Sequence, residues 1–127
     1  PFARYMAEAV LAKAGMNTST FENPLPQRLS RIAATGYKPD GSPVPGRYHT
    51  YPEMAAAGLW TTASDLARFA IEIQKAREGR SQRMLRQATV EEMLRPEKQS
   101  YGLGFGIDER DGLKRFSHGG ADEGFQA

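Results

Sequence analysis

A chain of 127 residues that is 39% hydrophobic and 25% charged, with mean hydropathy −0.59, has the make-up of one domain, or one piece of a domain, with a modest core. Its formal net charge of +2 comes from scattered arginines and lysines, and no run is dense enough to track phosphates, which argues against a nucleic-acid partner. No apolar run approaches a membrane span, and the absence of cysteine excludes disulfides, thiolate metal sites and a cysteine nucleophile.

The spacing predicts an amphipathic helix over 2–14, with Phe2, Tyr5, Met6, Ala9, Val10 and Lys13 on one face. Pro1 suits its first turn and Gly15 the position just past its end. The sequence opens inside this helix signal, as a fragment boundary would leave it. Residues 16–58 are irregular. Pro24, Pro26, Pro39, Pro43, Pro45 and Pro52 exclude long helices, leaving room for a short one over Gln27–Ala34 and a turn at Asp40-Gly41. An irregular stretch of this length is either functional or laid over a larger body. Its Tyr37, Tyr48, His49 and Tyr51 could line a pocket or simply anchor the loop to a core.

Thr62-Ala-Ser-Asp65 reads as a capping box, with the Thr62 hydroxyl accepting from the Asp65 amide and the carboxylate reaching back. It opens a helix whose predicted buried stripe is Leu66, Phe69, Ala70 and Ile73, with Glu72 and Lys75 or Ala76 on the polar side and Gly79 at the end. Trp60 is a packing anchor just before the cap, and Ser64 is better explained by its helix-start position than as a nucleophile. Thr89-Val-Glu-Glu92 reads as a second capping box, opening a short helix through Leu94 that Pro96 stops. Tyr101–Ile107 alternates apolar residues with glycine and predicts a strand with one bare face. Asp111-Gly112 predicts a hairpin turn, and Leu113–Ser117 the returning strand. That hairpin delivers His118-Gly119-Gly120, where the backbone lies open to a ligand, unless this is only a glycine-rich turn with an exposed histidine.

Taken in order, the first helix, Gly15-Met-Asn-Thr-Ser-Thr-Phe21, Ala57-Gly-Leu-Trp-Thr-Thr-Ala-Ser-Asp-Leu-Ala-Arg-Phe69, Thr89-Val-Glu-Glu-Met-Leu94, Tyr101-Gly-Leu-Gly-Phe105 and Ser117-His-Gly-Gly120 resemble the β-lactamase-related serine hydrolases. That group comprises class C β-lactamases, D,D-peptidases (penicillin-binding proteins) and related esterases and D-amino-acid peptidases. The resemblance covers nearly the whole chain. It implies a mostly α fold with a small antiparallel β-hairpin, a fragment of an α/β β-lactamase/transpeptidase-like domain. Residues 1–98 would be part of the helical subdomain, with the long loop 16–58, and residues 99–127 the hairpin and edge-strand motif.

The family's chemistry is acyl transfer through a serine ester. Ser-x-x-Lys supplies nucleophile and base, Tyr-x-Asn shuttles the proton, and a third motif reads Lys-Thr-Gly or a variant such as His-Gly-Gly. By resemblance His118 would take the cation position of that third motif. Gly119 and Gly120 would be substrate-binding positions, with Gly119 lacking the hydroxyl of the usual threonine, and the Ala121 amide would be one oxyanion donor. No cofactor is implied. A metal site is disfavoured, because His49 and His118 are the only histidines. None of the seven serines begins a Ser-x-x-Lys and none of the five tyrosines a Tyr-x-Asn. The expectation is therefore a piece of a larger enzyme, inactive alone, whose parent acts on β-lactams, D-amino-acid peptides or esters, with the missing threonine favouring esters and peptides. The rival reading is a non-catalytic helical interaction module. The resemblance further implies an extracytoplasmic setting, and unpaired strand edges at Tyr101–Ile107 would favour self-association.

Overall fold

Helices supply most of the regular structure in the computed structural model, which describes residues 1–127. They are α1 (Phe2–Met6), α2 (Ala12–Ala14), α3 (Gln27–Ser30), α4 (Met54–Ala57), α5 (Ala63–Arg77) and α6 (Gln87–Met93). Two antiparallel hairpins follow, β1 (Gly106–Arg110) with β2 (Leu113–Ser117), and β3 (Ala121–Asp122) with β4 (Phe125–Gln126). No helix is long and apolar enough to cross a membrane.

The first helical stretch is continuous, because a π-helical turn at Ala7–Leu11 joins α1 to α2. Gly15, at φ 75°, closes it in the left-handed conformation that favours glycine. The buried face differs from the predicted one. Leu11 and Ala14 are buried and Phe2, Ala3 and Met6 pack with them, while Tyr5 is 66% exposed. A π turn holds one residue more than an α turn. Buried positions after it therefore move from the expected Val10 and Lys13 to Leu11 and Ala14.

In α5 the Thr62 hydroxyl accepts from the Asp65 amide at 3.2 Å, as the capping box predicts. The Asp65 carboxylate does not reach back to Thr62; it is buried among donors from elsewhere in the chain. The stripe is also displaced. Asp65, Glu72, Ile73 and Ala76 are buried, and Leu66 is 41% exposed. Glu72 enters the interior because Ser81 donates a hydrogen bond to its carboxylate. No buried side-chain nitrogen or oxygen lacks a partner, so the two buried acids are satisfied and not stranded. Gly79, at φ 71°, follows the helix end as expected. The next helix starts at Gln87, before the predicted Thr89 cap, because the Gln87 side-chain amide ties it to the Arg77 carbonyl at 3.1 Å.

Two small cores result. One gathers Leu11, Ala14, Met16 and Phe21; the other gathers Ile73, Ala76, Val90 and Leu94. Phe69 and Met84 pack against both and join them. The second core receives the β1–β2 hairpin through Ile107 and Phe116, with Phe116 edge-on to Phe105 at 5.2 Å. Asp111 and Gly112 turn that hairpin at φ 55° and 75°, the two positive values that a two-residue type I′ loop requires.

The predicted strand over Tyr101–Ile107 is corrected: β1 begins only at Gly106. Residues 101–105 form a turn, in which the Gly102 amide donates to the Phe105 carbonyl at 2.9 Å and Gly104 takes φ +81°. A Cβ on Gly102 would stand 2.2 Å from the Met93 carbonyl oxygen. These glycines serve close approach and a tight turn, and the strand edge expected to favour self-association is absent over 101–105.

The β3–β4 hairpin is held by the long loop. Tyr37 donates its amide to the Gly124 carbonyl at 3.2 Å, and a Cβ added to Gly124, at φ +83°, would fall 2.7 Å from both Gly36 Cα and Val44 Cγ2. Gly124→Ala is expected to destabilise the chain by about 2–3 kcal/mol, part overpacking and part the left-handed conformation. Gly41→Ala, also at positive φ but in open space, isolates the conformational part and should cost about 1 kcal/mol. Urea denaturation of the two variants checks this, and equal losses would remove the steric share.

Candidate functional site

A cleft of about 760 Å³ opens between the 23–34 segment, the aromatic run 48–51, residues 56–62 and the second hairpin. Tyr48, His49 and Tyr51 line it, and so does Trp60. The same aromatics also anchor the loop. The Tyr48 hydroxyl donates to Ser30 Oγ at 2.7 Å, and its ring packs on Trp60 at 4.6 Å. The Tyr51 hydroxyl accepts from the Glu123 amide at 3.0 Å, which pins the β3–β4 turn to this wall. Trp60 then meets Phe125 of β4 edge-on at 6.2 Å. Tyr37 lies outside the cleft, 58% exposed.

The glycine motif divides at the cleft's edge. His118 and Gly119 follow the end of β2, exposed and outside the cleft wall, whereas Gly120 and Ala121 are part of it. Neither crowding nor a positive φ demands glycine here: a Cβ on Gly119 would meet only the Ala127 oxygen at 3.6 Å, and one on Gly120 would meet nothing. Their effect is to leave room above the main chain.

The ladder decides which way Ala121 faces. Gly120 and Ala127 exchange both hydrogen bonds at 3.0 Å. In an antiparallel pair such residues alternate with pairs whose amides and carbonyls point outward. Ala121, opposite Gln126, is the next pair, so its N–H is turned away from β4. An exposed main-chain donor thus stands at the cleft edge without a strand partner.

Behind the cleft, Asp65 ties the 16–21 turn to the start of α5. Its Oδ2 accepts from the Thr18 amide at 2.9 Å, the Thr18 hydroxyl at 2.7 Å and the Ser19 hydroxyl at 2.7 Å, and Arg68 pairs with Oδ1. Burial opposes ionisation of this carboxyl, but the Ser19 and Thr18 donors and the Arg68 guanidinium outweigh it and lower its pKa to about 2. Sequence reasoning missed both this knot and the place of Trp60 in the cleft. Thr18 and Ser19 lie 47 and 46 positions from Asp65, beyond any local pattern. Ser64 is exposed in the first turn of α5, beside the capping Thr62.

A family model described as Beta-lactamase matches residues 1–127. No curated protein matches the chain. Among solved structures, a penicillin binding protein from Bacillus halodurans is similar in fold, with a TM-score of 0.62 at 20% sequence identity. The match covers 98% of this chain and 38% of that one, so the chain spans well under half the length of that structure.

Proposed function

The chain belongs to the β-lactamase family, and from that premise we propose that it forms one wall of the acyl-transfer cleft of a serine hydrolase, with the nucleophile and its base lying outside residues 1–127. The observation that carries this reading is the Ala121 amide, unpaired by β4 and exposed at the rim of an aromatic cleft. When a serine attacks an ester or amide carbonyl, negative charge gathers on the carbonyl oxygen. A fixed N–H at that point stabilises the tetrahedral intermediate, by roughly 3–4 kcal/mol when judged by removal of such a donor. Ala121 would be one donor and the nucleophile's own amide the other.

His118, exposed at the head of the motif, would take the cation position facing the proton-shuttling tyrosine. Gly119 offers no hydroxyl to a substrate carboxylate, which favours ester or peptide substrates over β-lactams. None of the chain's serines is followed three residues later by lysine, and this supports a nucleophile supplied from elsewhere.

A fluorophosphonate probe followed by peptide mass mapping tests the reading on the complete gene product and on the 127-residue chain. The expected result is one labelled serine, outside residues 1–127, and no label on the shorter chain. A labelled serine among Ser19, Ser30, Ser42, Ser64, Ser81, Ser100 and Ser117 would overturn the assignment of the nucleophile. An unlabelled gene product would leave the non-catalytic binding module in its place.

A further inference from the structure

We propose that this cleft takes substrates with a positively charged amine on an apolar or aromatic body, and turns carboxylate-bearing ones away. The substrate class rests on the cleft wall proposed above. Of the side chains that line the cleft, Asp122 and Glu123 are the only acids, His49 is the one basic group, and no lysine or arginine is among them. Glu123 faces Lys38 at 3.7 Å, so half of that acidic pair is already answered. Asp122, half-buried at the end of β3, forms no ion pair with any lysine or arginine of the chain. Arg47 stands near Tyr48 with its guanidinium bound to the carbonyls of Ser30 and Ala33, held to the loop instead of the cleft.

The remaining surface fits the rest of such a molecule. Leu25, Leu29 and Ile32 line the cleft, with Ile32 80% exposed and free to cover an alkyl or aryl group. Tyr48, Tyr51 and Trp60 offer ring faces and edges, and aromatic faces attract cations. A cleft lined by one sign of charge between low-dielectric walls concentrates ligands of the opposite sign. On this wall an anionic ligand would lose hydration beside two acids, with the His49 imidazole as the one basic side chain. Asp122 directly follows Ala121, and neighbouring Cα atoms are about 3.8 Å apart. An amine paired with Asp122 would therefore lie within a few bonds of a carbonyl held at the Ala121 amide.

Trp60 is the only tryptophan of the chain and lines this cleft, so intrinsic fluorescence reads its occupancy without any catalysis. The 127-residue chain, amidated at Ala127 so that no terminal carboxylate joins the cleft wall, would be titrated with 2-phenylethylamine, 2-phenylethanol and phenylacetate, three ligands of similar shape and different charge. The amine is expected to quench saturably and to bind at least about tenfold more tightly than phenylacetate. Asp122→Asn should cut that preference to about threefold or less while leaving the alcohol's affinity unchanged, which shows that the variant is folded. Phenylacetate binding as tightly as the amine, a preference that survives Asp122→Asn, or saturation by none of the three would overturn the proposal. No bond is cleaved in this experiment. A failed serine labelling therefore removes the hydrolase reading and leaves the charge preference standing, and the converse also holds.

Discussion

Replacing Asp65 with alanine is expected to lower the melting temperature by about 10 °C or more, the largest effect of any single substitution in the α5 region. The side chain is completely buried and gathers donors from Thr18, Ser19 and Arg68. Its removal strands the Thr18 amide, leaves the Thr18 and Ser19 hydroxyls only their contacts with Thr62 and Thr61, and loosens the 16–21 turn from the helix start. The first core then loses support, since Met16 and Phe21 belong to that turn. The same residue sets an acid limit. Its folded pKa of about 2 lies below the ordinary 3.8, so the unfolded chain takes up the proton first as pH falls. The stabilisation is complete above about pH 4 and is lost as pH drops through 3.8 towards 2. Thermal melts between pH 7 and pH 2.5 should show a flatter profile for Asp65→Asn than for the native chain. Parallel profiles would mean that another carboxylate governs acid unfolding.

In the complete gene product, Ala121→Pro is expected to reduce kcat about 10²–10³-fold, with a much smaller change in KM. Proline removes a single N–H, and at 121 that N–H is turned off the ladder, so the pairing of β3 with β4 should survive. Few substitutions can delete a main-chain donor without cutting a strand, and the alternation of this short hairpin allows it. An unchanged melting temperature would confirm that the hairpin is intact. A kcat within threefold of the native value would remove Ala121 from the oxyanion site.

Features settled by neighbouring residues were legible in the sequence. Gly15 and Gly79 end their helices, Thr62 caps α5, and Asp111-Gly112 turns the β1–β2 hairpin, because each is a matter of φ or of a hydrogen bond three residues away. The placement of His118-Gly119-Gly120 just beyond β2 followed from that turn. What could not be read depends on partners distant in sequence. Glu72 belongs by type on a solvated face and is buried because Ser81 meets it. Asp65 was assigned a local bond and found several distant ones. The 101–107 error has a different cause. Alternating glycine and apolar residues is the pattern of a strand, but it also suits a turn that folds over a neighbouring carbonyl, and only the approach of Met93 distinguishes the two. The cleft was half legible: its aromatics were singled out, but their meeting with Gly120 and Ala121 depends on how the long loop folds back.

The π-helical turn at Ala7–Leu11 also bears on how this chain should be lined up against others. Such a turn is an α-helix with one residue inserted, absorbed without breaking the helix. A relative without the insertion would keep the same two ends with one residue fewer, and an ungapped alignment would set its core positions against Val10 and Lys13 in place of Leu11 and Ala14. The gap belongs inside the helix, where alignment practice is least willing to put one. Any homology-based substitution at these positions would otherwise be aimed at the wrong face.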